Sequence, residues 1–137
     1  MEKEKSKKLK ETLDRINKEM GAGTIRSMDD SPIKIDSLST GSLGIDNITG
    51  IGGYPVGRIT EIYGPFSSGK TTLATHAIAE CQKRGGVAAI IDAEHSFSLE
   101  YANNLGVNIK ELIINQPDSG EQALQVVDEL VRSSCVN

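Results

Sequence analysis

The stretch Gly64-Pro65-Phe66-Ser67-Ser68-Gly69-Lys70-Thr71 has the spacing G-x-x-x-x-G-K-[ST]. This spacing is typical of a loop whose backbone N–H groups surround a phosphate group, placed between a strand and the helix that follows it. A short strand is predicted at residues 59–63, before the stretch, and a helical pattern over residues 73–84 follows it. Because motif and context agree, the sequence predicts a phosphate-binding loop.

Each residue type in this loop has a chemical reason. Glycines at positions 64 and 69 let the backbone curl around an anion, and the positive end of the following helix attracts the same charge. Lys70 can carry its charge to the β and γ phosphates of a nucleotide, and the Thr71 hydroxyl can ligate the Mg²⁺ that bridges them. The loop therefore predicts a bound nucleotide with its metal ion.

The chain around the loop alternates strand and helix patterns, which predicts an α/β fold with a parallel sheet and flanking helices. The unbroken apolar run of residues 87–91 is typical of a strand covered on both faces. Helix 73–84 carries the apolar face Leu73, Ala77, Ile78 and Cys81. The remaining elements are a helix at 99–105, a strand at 112–114, and a helix that a Ser119 and Gln122 capping box opens, with the apolar face Ala123, Leu124, Val127, Leu130 and Val131.

Hydrolysis needs a carboxylate that can orient or deprotonate a water molecule. Glu94 follows the 87–91 strand, at the sheet edge where the phosphate loop also lies, so it is the preferred candidate. Asp92 is the rival, and both carboxylates could instead only cap the strand end. His76 and His95 lack a cluster of ligands around them, so they are interpreted as packing or surface residues.

The N-terminal segment carries a separate apolar pattern. Leu9, Leu13, Ile16 and Met20 recur at helical spacing within residues 3–20. Gly21 and Gly23 end this predicted helix, and a polar stretch follows, so residues 1–33 are interpreted as an arm with a linker and residues 34–137 as the main domain. The periodicity leaves open whether the stripe packs on its own core or on another molecule.

The composition bounds the class of protein. The chain has 137 residues, of which 37% are hydrophobic and 25% charged, as in globular proteins. No apolar run reaches the roughly 18 to 20 residues of a membrane helix, so no membrane partner is expected. The two cysteines, Cys81 and Cys135, have no metal-type spacing and are interpreted as reduced thiols in the cytoplasm. A net charge of -4 by itself argues against a nucleic-acid partner.

Several longer stretches go beyond a bare phosphate loop. They are Ser39-Thr40-Gly41-Ser42-Leu43, Gly57-Arg58-Ile59, Glu61-Ile62-Tyr63-Gly64-Pro65, Ser67-Ser68-Gly69-Lys70-Thr71-Thr72, Ile91-Asp92-Ala93-Glu94-His95, Gln116-Pro117-Asp118 and Gly120-Glu121-Gln122-Ala123-Leu124. On these residues the chain resembles the bacterial RecA recombinase family, from about Leu9 to Asn137. The resemblance implies a RecA-like P-loop NTPase fold, incomplete here and preceded by a helical arm.

The resemblance also implies a function. It points to an ATP-dependent recombinase that coats single-stranded DNA as a homo-oligomeric helical filament, pairs it with duplex DNA, and stimulates autocleavage of the repressor of the DNA-damage (SOS) response. Glu94 and Lys70 would be catalytic, Tyr101 would stack on the adenine, Thr71 would ligate Mg²⁺, and the arm would pack on the neighbouring protomer. The residues implied for nucleotide binding are Gly64, Pro65, Phe66, Ser67, Ser68, Gly69, Lys70, Thr71, Thr72 and Tyr101.

The chain departs from the family pattern in three places. Phe66 replaces the usual Glu inside the loop, and Ser98 replaces the usual Asp near the adenine. The chain also ends before the strand whose Asp completes the Mg²⁺ site in the family, and before the DNA-binding loops. Its acidic charge is thus a weak argument about DNA. We expect the isolated chain to be a weak nucleotide binder with an exposed sheet edge.

Three alternatives were considered against this prediction. A GTPase or small-molecule kinase would share the loop, but N-K-x-D and D-x-x-G motifs of a GTPase are absent from these residues. A shortened chain could act as an interaction module whose arm caps or blocks a recombinase filament. A dinucleotide-binding loop fails because Pro55 occupies the last glycine position of the G-x-G-x-x-G pattern that Gly50 would start.

Overall fold

The computed structural model describes residues 2–25 and 35–137, and the chain divides into two compact units, residues 1–34 and 35–137. The first unit contains helix α1, Glu2–Met20, which confirms the predicted N-terminal helix. The part of the predicted linker from residue 26 to residue 33 lies outside the described residues. As functional domains, the segments 1–33 and 34–137 stay a prediction.

Helix α1 ends where glycine permits the chain to turn. Gly21 has a φ of +111°, in the left-handed region that favours glycine. The following residues fold back on the helix, because the Asn17 side-chain amide donates to the carbonyl of Ile25 and accepts from its N–H, at 2.8 and 2.9 Å. On the apolar stripe, Leu13 and Ile16 are half-buried, whereas Leu9 and Met20 are exposed.

The second unit begins with a small substructure that the sequence analysis did not predict. Strand β1, Ser37–Leu38, pairs antiparallel with strand β2, Tyr54–Pro55, and helix α2, Leu43–Ile48, lies between them in the chain. The Asp46 carboxylate accepts hydrogen bonds from the Ser39 hydroxyl and from the N–H and hydroxyl of buried Thr40. These bonds lower the pKa of Asp46 and fix the turn that leads into α2.

The predicted helix after the loop is confirmed as α3, Lys70–Lys83. It starts three residues before the apolar pattern does, directly at the end of the glycine-rich loop. Gly85 has a φ of +80° and ends it in the predicted way. Its inner face packs into the small core, whose buried apolar residues are Ile78, Ala79, Cys81, Ala88, Ala102 and Val107.

The remaining elements form a β-α-β-α succession around a parallel strand pair. They are β3, Ala89–Ile91; α4, Leu99–Asn104; β4, Ile113–Asn115; and α5, Gly120–Arg132. Strand β3 pairs parallel with β4, with Ile91 opposite Asn115. Ser98 and Ser119 cap α4 and α5 by accepting the N–H groups of Tyr101 and Gln122. The architecture is thus α/β, with helices and two small sheets.

The predicted strand at residues 59–63 is wrong for the described chain. The segment forms no strand pairing, and Ile59 is 100% exposed. The ladder hydrogen bonds of a strand require a neighbour, and within residues 35–137 no strand pairs with this segment.

The prediction for residues 87–91 needs a smaller correction. Only residues 89–91 form a strand, and all three are half-buried instead of covered on both faces. The reason is that β4 is the single strand paired with β3 in the described residues. The apolar run is typical of a central strand, but β3 is one of only two strands in its sheet within the described residues.

The predicted helix α5 is confirmed, but its apolar face is not covered. Leu124 is 73% exposed, and Val127 and Val131 are exposed as well. The capping box closes differently from the expectation, since the Gln122 side chain accepts the N–H of Asp118 at 2.7 Å.

Among the helices in the described part of the chain, none is both long enough and apolar enough to cross a membrane.

Candidate active site

The predicted phosphate loop, residues 64–71, is a tight backbone turn whose shape depends on its glycines. Gly69, immediately before α3, has a φ of +91°, and Ser67 is also in the left-handed region with a φ of +58°. A Cβ atom on Gly64 would lie 3.0 Å from the Ser68 hydroxyl oxygen. The left-handed backbone at Gly69 explains the glycine there, and a side chain at Gly64 would crowd the Ser68 hydroxyl.

Lys70 folds back over this loop. Its Nζ donates to the carbonyl oxygens of Gly64 and Pro65 at 3.2 and 2.9 Å. The first N–H groups of a helix have no partner within the helix, so those at the start of α3 can bind an anion beside this ammonium group. A cavity of about 220 Å³ on the loop is lined by residues 67–72, and Thr71 is exposed there.

A larger cavity joins the loop to the end of β3. It has a volume of about 750 Å³, and its lining includes Gly64, Phe66, Lys70 and Thr71 on one side and residues 90–94, Ser96 and Phe97 on the other. Phe66 is 99% exposed at its edge. The structure thus brings the predicted catalytic residues Lys70 and Glu94 to the walls of one cavity.

The two candidate carboxylates differ in their surroundings. Asp92 is only 8% exposed, and its oxygens accept the N–H groups of Ser96 and Phe97 and the side-chain amide of Gln116. The bond from Gln116 has the largest effect on the Asp92 pKa, and with the two backbone bonds it outweighs burial and holds that pKa below its ordinary value. Glu94 is exposed on the turn that follows. Asp92 therefore caps the turn that follows it, and Glu94 is the exposed one of the two carboxylates.

Tyr101 lines a neighbouring cavity of about 220 Å³ between the starts of α3 and α4. Thr71, Thr72, Thr75, Ser96, Phe97 and Ser98 form the rest of its wall. The Tyr101 hydroxyl lies 3.4 Å from the Thr72 hydroxyl, and Ser98 caps α4 from the same wall. Thr71 lines all three cavities, so the predicted phosphate, metal and base residues surround continuous parts of one surface.

Comparison with known proteins assigns this loop and its surroundings to a family. A family model described as the RecA N-terminal domain matches residues 7–137. The chain belongs to the RecA family. It is 57% identical over 140 residues to Protein RecA of Thermotoga neapolitana, covering 99% of this chain and 39% of that protein. Against Protein RecA of Legionella pneumophila strain Corby it is 55% identical over 139 residues, covering 100% of this chain and 40% of that protein.

A third relative shows similar identity and coverage. Protein RecA of Campylobacter hominis is 54% identical over 138 residues, covering 100% of this chain and 40% of the relative. The resemblance stated from the sequence is therefore confirmed at the level of the RecA family. The chain spans about two fifths of the length of these relatives. The roles of the individual site residues, and the activity of a whole RecA protein, stay proposals for this chain.

Thr71 is the residue predicted to ligate Mg²⁺, and its position can be compared with what such a site needs. Within the described residues, no group of three or more His, Cys, Asp or Glu side chains is arranged to hold a metal ion. Mg²⁺ at phosphate-transfer sites commonly takes its ligands from substrate phosphates, water and one or two protein oxygens. Thr71 is exposed on the wall of the loop cavity, so its hydroxyl could supply one such protein oxygen.

Sequence reasoning missed Gln116 as a partner of Asp92. Each of these residues follows a strand of the parallel pair, and the register places Ile91 opposite Asn115, so the next residues are neighbours at the sheet edge. The strand ends were visible in the sequence, whereas the register was not. His76 is half-buried. Its Cβ lies 2.9 Å from the point that a Cβ on Gly41 would occupy, which agrees with its interpretation as a packing or surface residue.

Proposed function

We propose that this chain forms the N-terminal, nucleotide-binding part of an ATP-dependent DNA recombinase. One observation carries the proposal: Lys70 of the phosphate loop and Glu94 after β3 line the same cavity of about 750 Å³. A RecA-like P-loop NTPase needs this pairing, since one group binds the phosphates and the other acts on the attacking water. The RecA family supplies the reaction class.

The loop residues bind the nucleotide. The N–H groups at the start of α3 and the Lys70 ammonium hold the phosphate oxygens, with the other nucleotide-binding residues of the loop, Gly64 to Thr72, shaping the cradle. Lys70 exchanges its bonds to the Gly64 and Pro65 carbonyls for bonds to phosphate. The Thr71 hydroxyl is the protein ligand for Mg²⁺, which when bound neutralises charge on the phosphate oxygens. Tyr101 stacks on the adenine of ATP.

Glu94 orients or deprotonates the attacking water. Its exposed carboxylate meets the cavity, whereas the Asp92 carboxylate already accepts three hydrogen bonds and has no free role at the phosphate. General acid or base groups in such positions contribute about 10² to 10⁴ in rate. Glu94 is accordingly assigned the catalytic role together with Lys70.

The wider activity belongs to a complete RecA protein. We assign to it the binding of single-stranded and duplex DNA through segments outside these 137 residues, strand exchange in a homo-oligomeric filament, stimulation of SOS repressor cleavage, and a cytoplasmic location. The exposed Leu9 and Met20 on α1 support docking of this helix on a neighbouring copy, because removing apolar side chains from water lowers the free energy.

The test uses a RecA chimera, defined as these 137 residues followed by the remainder of the Legionella pneumophila protein. Binding of magnesium ATP is measured by calorimetry for the chimera and for two variants, Lys70→Ala and Lys83→Ala. Lys83 is the matched control, because it lies on the same helix and pairs with Glu80 on the surface. We expect Lys70→Ala to abolish tight binding and Lys83→Ala to preserve it. Equal binding by all three would refute the nucleotide site.

The second candidate is an interaction module, favoured by the exposed stripe on α1. The isolated chain would then dock on a full-length RecA protein and shorten its filaments. Light scattering of Legionella pneumophila RecA filaments on single-stranded DNA, with the chain added, measures this directly. Leu9→Ser should weaken the effect, whereas Lys10→Ser on the same exposed helix should not. Unchanged filament length with added chain argues against this candidate.

A further inference from the structure

The segment that carries Glu94 is held by hydrogen bonds to a single carboxylate. Oδ1 of Asp92 accepts the N–H of Ser96 at 3.2 Å, and Oδ2 accepts the N–H of Phe97 at 3.1 Å. The bonded amides lie four and five residues after Asp92, so they close residues 92–97 into a loop with Glu94 near its tip. A carboxylate that accepts several N–H groups fixes the backbone that supplies them.

The backbone inside this loop is itself constrained. His95 has a φ of +52°, in the left-handed region that residues with a Cβ adopt infrequently. The same residue donates its N–H to the Asp92 carbonyl at 3.4 Å. Because Glu94 directly precedes this residue, the direction of its side chain depends on the turn staying closed.

The third bond to the Asp92 carboxylate comes from a different strand. Gln116, immediately after β4, donates its side-chain Nε2 to Oδ2 of Asp92 at 3.0 Å. Asp92 lines the cavity that Glu94 also lines, whereas Gln116 is not part of that wall. The side-chain hydrogen bond that links Gln116 to this wall is the one to Asp92.

We propose that Gln116 is a positioning residue for Glu94, and that its amide holds the Asp92 carboxylate in the orientation that closes the 92–97 turn. The inference rests on the proposed function, since it assumes that Glu94 acts on the attacking water. The groups assigned to bind the phosphates, the Lys70 ammonium and the first N–H groups of α3, lie outside this turn, whose residues line the cavity walls. Loss of the Gln116 bond should thus lower kcat and leave KM for ATP nearly unchanged.

Gln116 is exposed, so its replacement removes the hydrogen bond without opening a cavity in the core. Gln116→Met keeps a side chain of similar length and removes the donor. Gln116→Glu places a second carboxylate beside Asp92, and the two can share a hydrogen bond only when one is protonated. Gln125→Glu is the matched control, because Gln125 is an exposed amide on α5 and the charge change is the same.

The experiment measures steady-state ATP hydrolysis by the RecA chimera as a function of pH. We expect Gln116→Met to lower kcat about tenfold with KM within about twofold. Gln116→Glu should lose more activity at neutral pH and recover part of it on acidification. The titratable groups His95 and Glu94 on the turn, and Asp118 beyond β4, are common to all variants, so the Gln125→Glu profile is the reference. Gln125→Glu should retain the parent profile.

A structural readout accompanies the kinetics. Amide hydrogen exchange at Ser96 and Phe97 should accelerate in Gln116→Met and stay at the parent rate in Gln125→Glu. Unchanged kcat in both Gln116 variants, with an active parent chimera, would overturn this inference and leave the proposed function standing. A loss expressed only in KM would overturn it too. A parent chimera that hydrolyses no ATP, while the Legionella pneumophila protein does, would overturn both.

Discussion

The hydroxyl oxygens of Thr72 and Tyr101 lie 3.4 Å apart, across the gap between the starts of α3 and α4. Thr72 directly follows the phosphate loop, and Tyr101 belongs to the turn of helix that Ser98 caps. The contact therefore relates the phosphate end of the proposed nucleotide site to its base end. Two segments nearly thirty residues apart meet there.

Tyr101 should contribute mainly through its ring. We expect Tyr101→Phe in the RecA chimera to bind ATP within about twofold of the parent, because stacking does not need the hydroxyl. Tyr101→Ala should weaken binding about tenfold, since an aromatic stacking contact contributes roughly 1 to 3 kcal/mol. Fluorescent-ATP titration measures both values. If Tyr101→Ala bound ATP as tightly as the parent, the adenine would not stack on Tyr101.

Glu94 should affect the chemical step and spare binding. Glu94→Gln keeps the shape of the side chain and removes its charge, so ATP affinity should persist while kcat falls about 10² to 10⁴. Glu111→Gln, at an exposed position after α4, provides the matched control. Steady-state hydrolysis by the chimera with single-stranded DNA distinguishes the two variants. An unaltered rate in Glu94→Gln would move the catalytic role to another group.

A side chain at Gly69 should be destabilising because of the backbone conformation alone. A Cβ atom at this position would meet nothing within 4 Å, but the φ of +91° costs an alanine about 1 to 2 kcal/mol. We expect Gly69→Ala to lower the free energy of unfolding of the chimera and to weaken ATP binding. Chemical denaturation and calorimetry measure these effects.

Gly120 offers the control for that substitution. It is the first residue of α5, has no positive φ, and likewise has open space around a Cβ. Gly120→Ala should therefore leave the stability unchanged or raise it by about 0.5 to 1 kcal/mol. If both alanine variants lost stability equally, the conformational explanation for Gly69 would be wrong.

Asp92 should make part of the stability depend on pH. Its bond from Gln116 and its backbone bonds hold the pKa below the ordinary value, so the stabilisation is present above the unfolded pKa of about 3.9. It is lost as pH falls through the lower pKa of the folded state. The stability difference between the chimera and its Asp92→Asn variant should thus be large near pH 6 and shrink on acidification to about pH 2. Urea denaturation across that range measures it, and a constant difference would contradict the assignment.

The two cysteines should react at different rates. Cys135 is exposed, whereas Cys81 is buried in the core beside Ala79, and burial raises the pKa of its thiol. A thiol reagent at about pH 8 should modify Cys135 first in the folded chain, with Cys81 following only after denaturation. Peptide mass spectrometry identifies the modified residue. Early labelling of Cys81 would show that the core around α3 is open.

The sequence by itself determined the glycine-rich turn at residues 64–71, four of the five helices in the described residues and the identity of the family. Local rules suffice there, because a glycine at a left-handed position, a serine cap and a periodic apolar face act within a few residues. Gly69, Ser98 and Ser119 have the local geometry that their residue types indicate. The α1, α3, α4 and α5 predictions were confirmed for the same reason.

Only the tertiary structure decided what depends on pairing between distant segments. Residues 59–63 have the composition of a strand and lack a neighbouring strand among the described residues, so they form none. The sequence favoured Glu94 over Asp92 by position alone, whereas the parallel register of β3 and β4 places Gln116 beside Asp92, and Glu94 is exposed. Strand pairing and side-chain hydrogen bonds depend on residues far apart in the chain, and no local pattern records them.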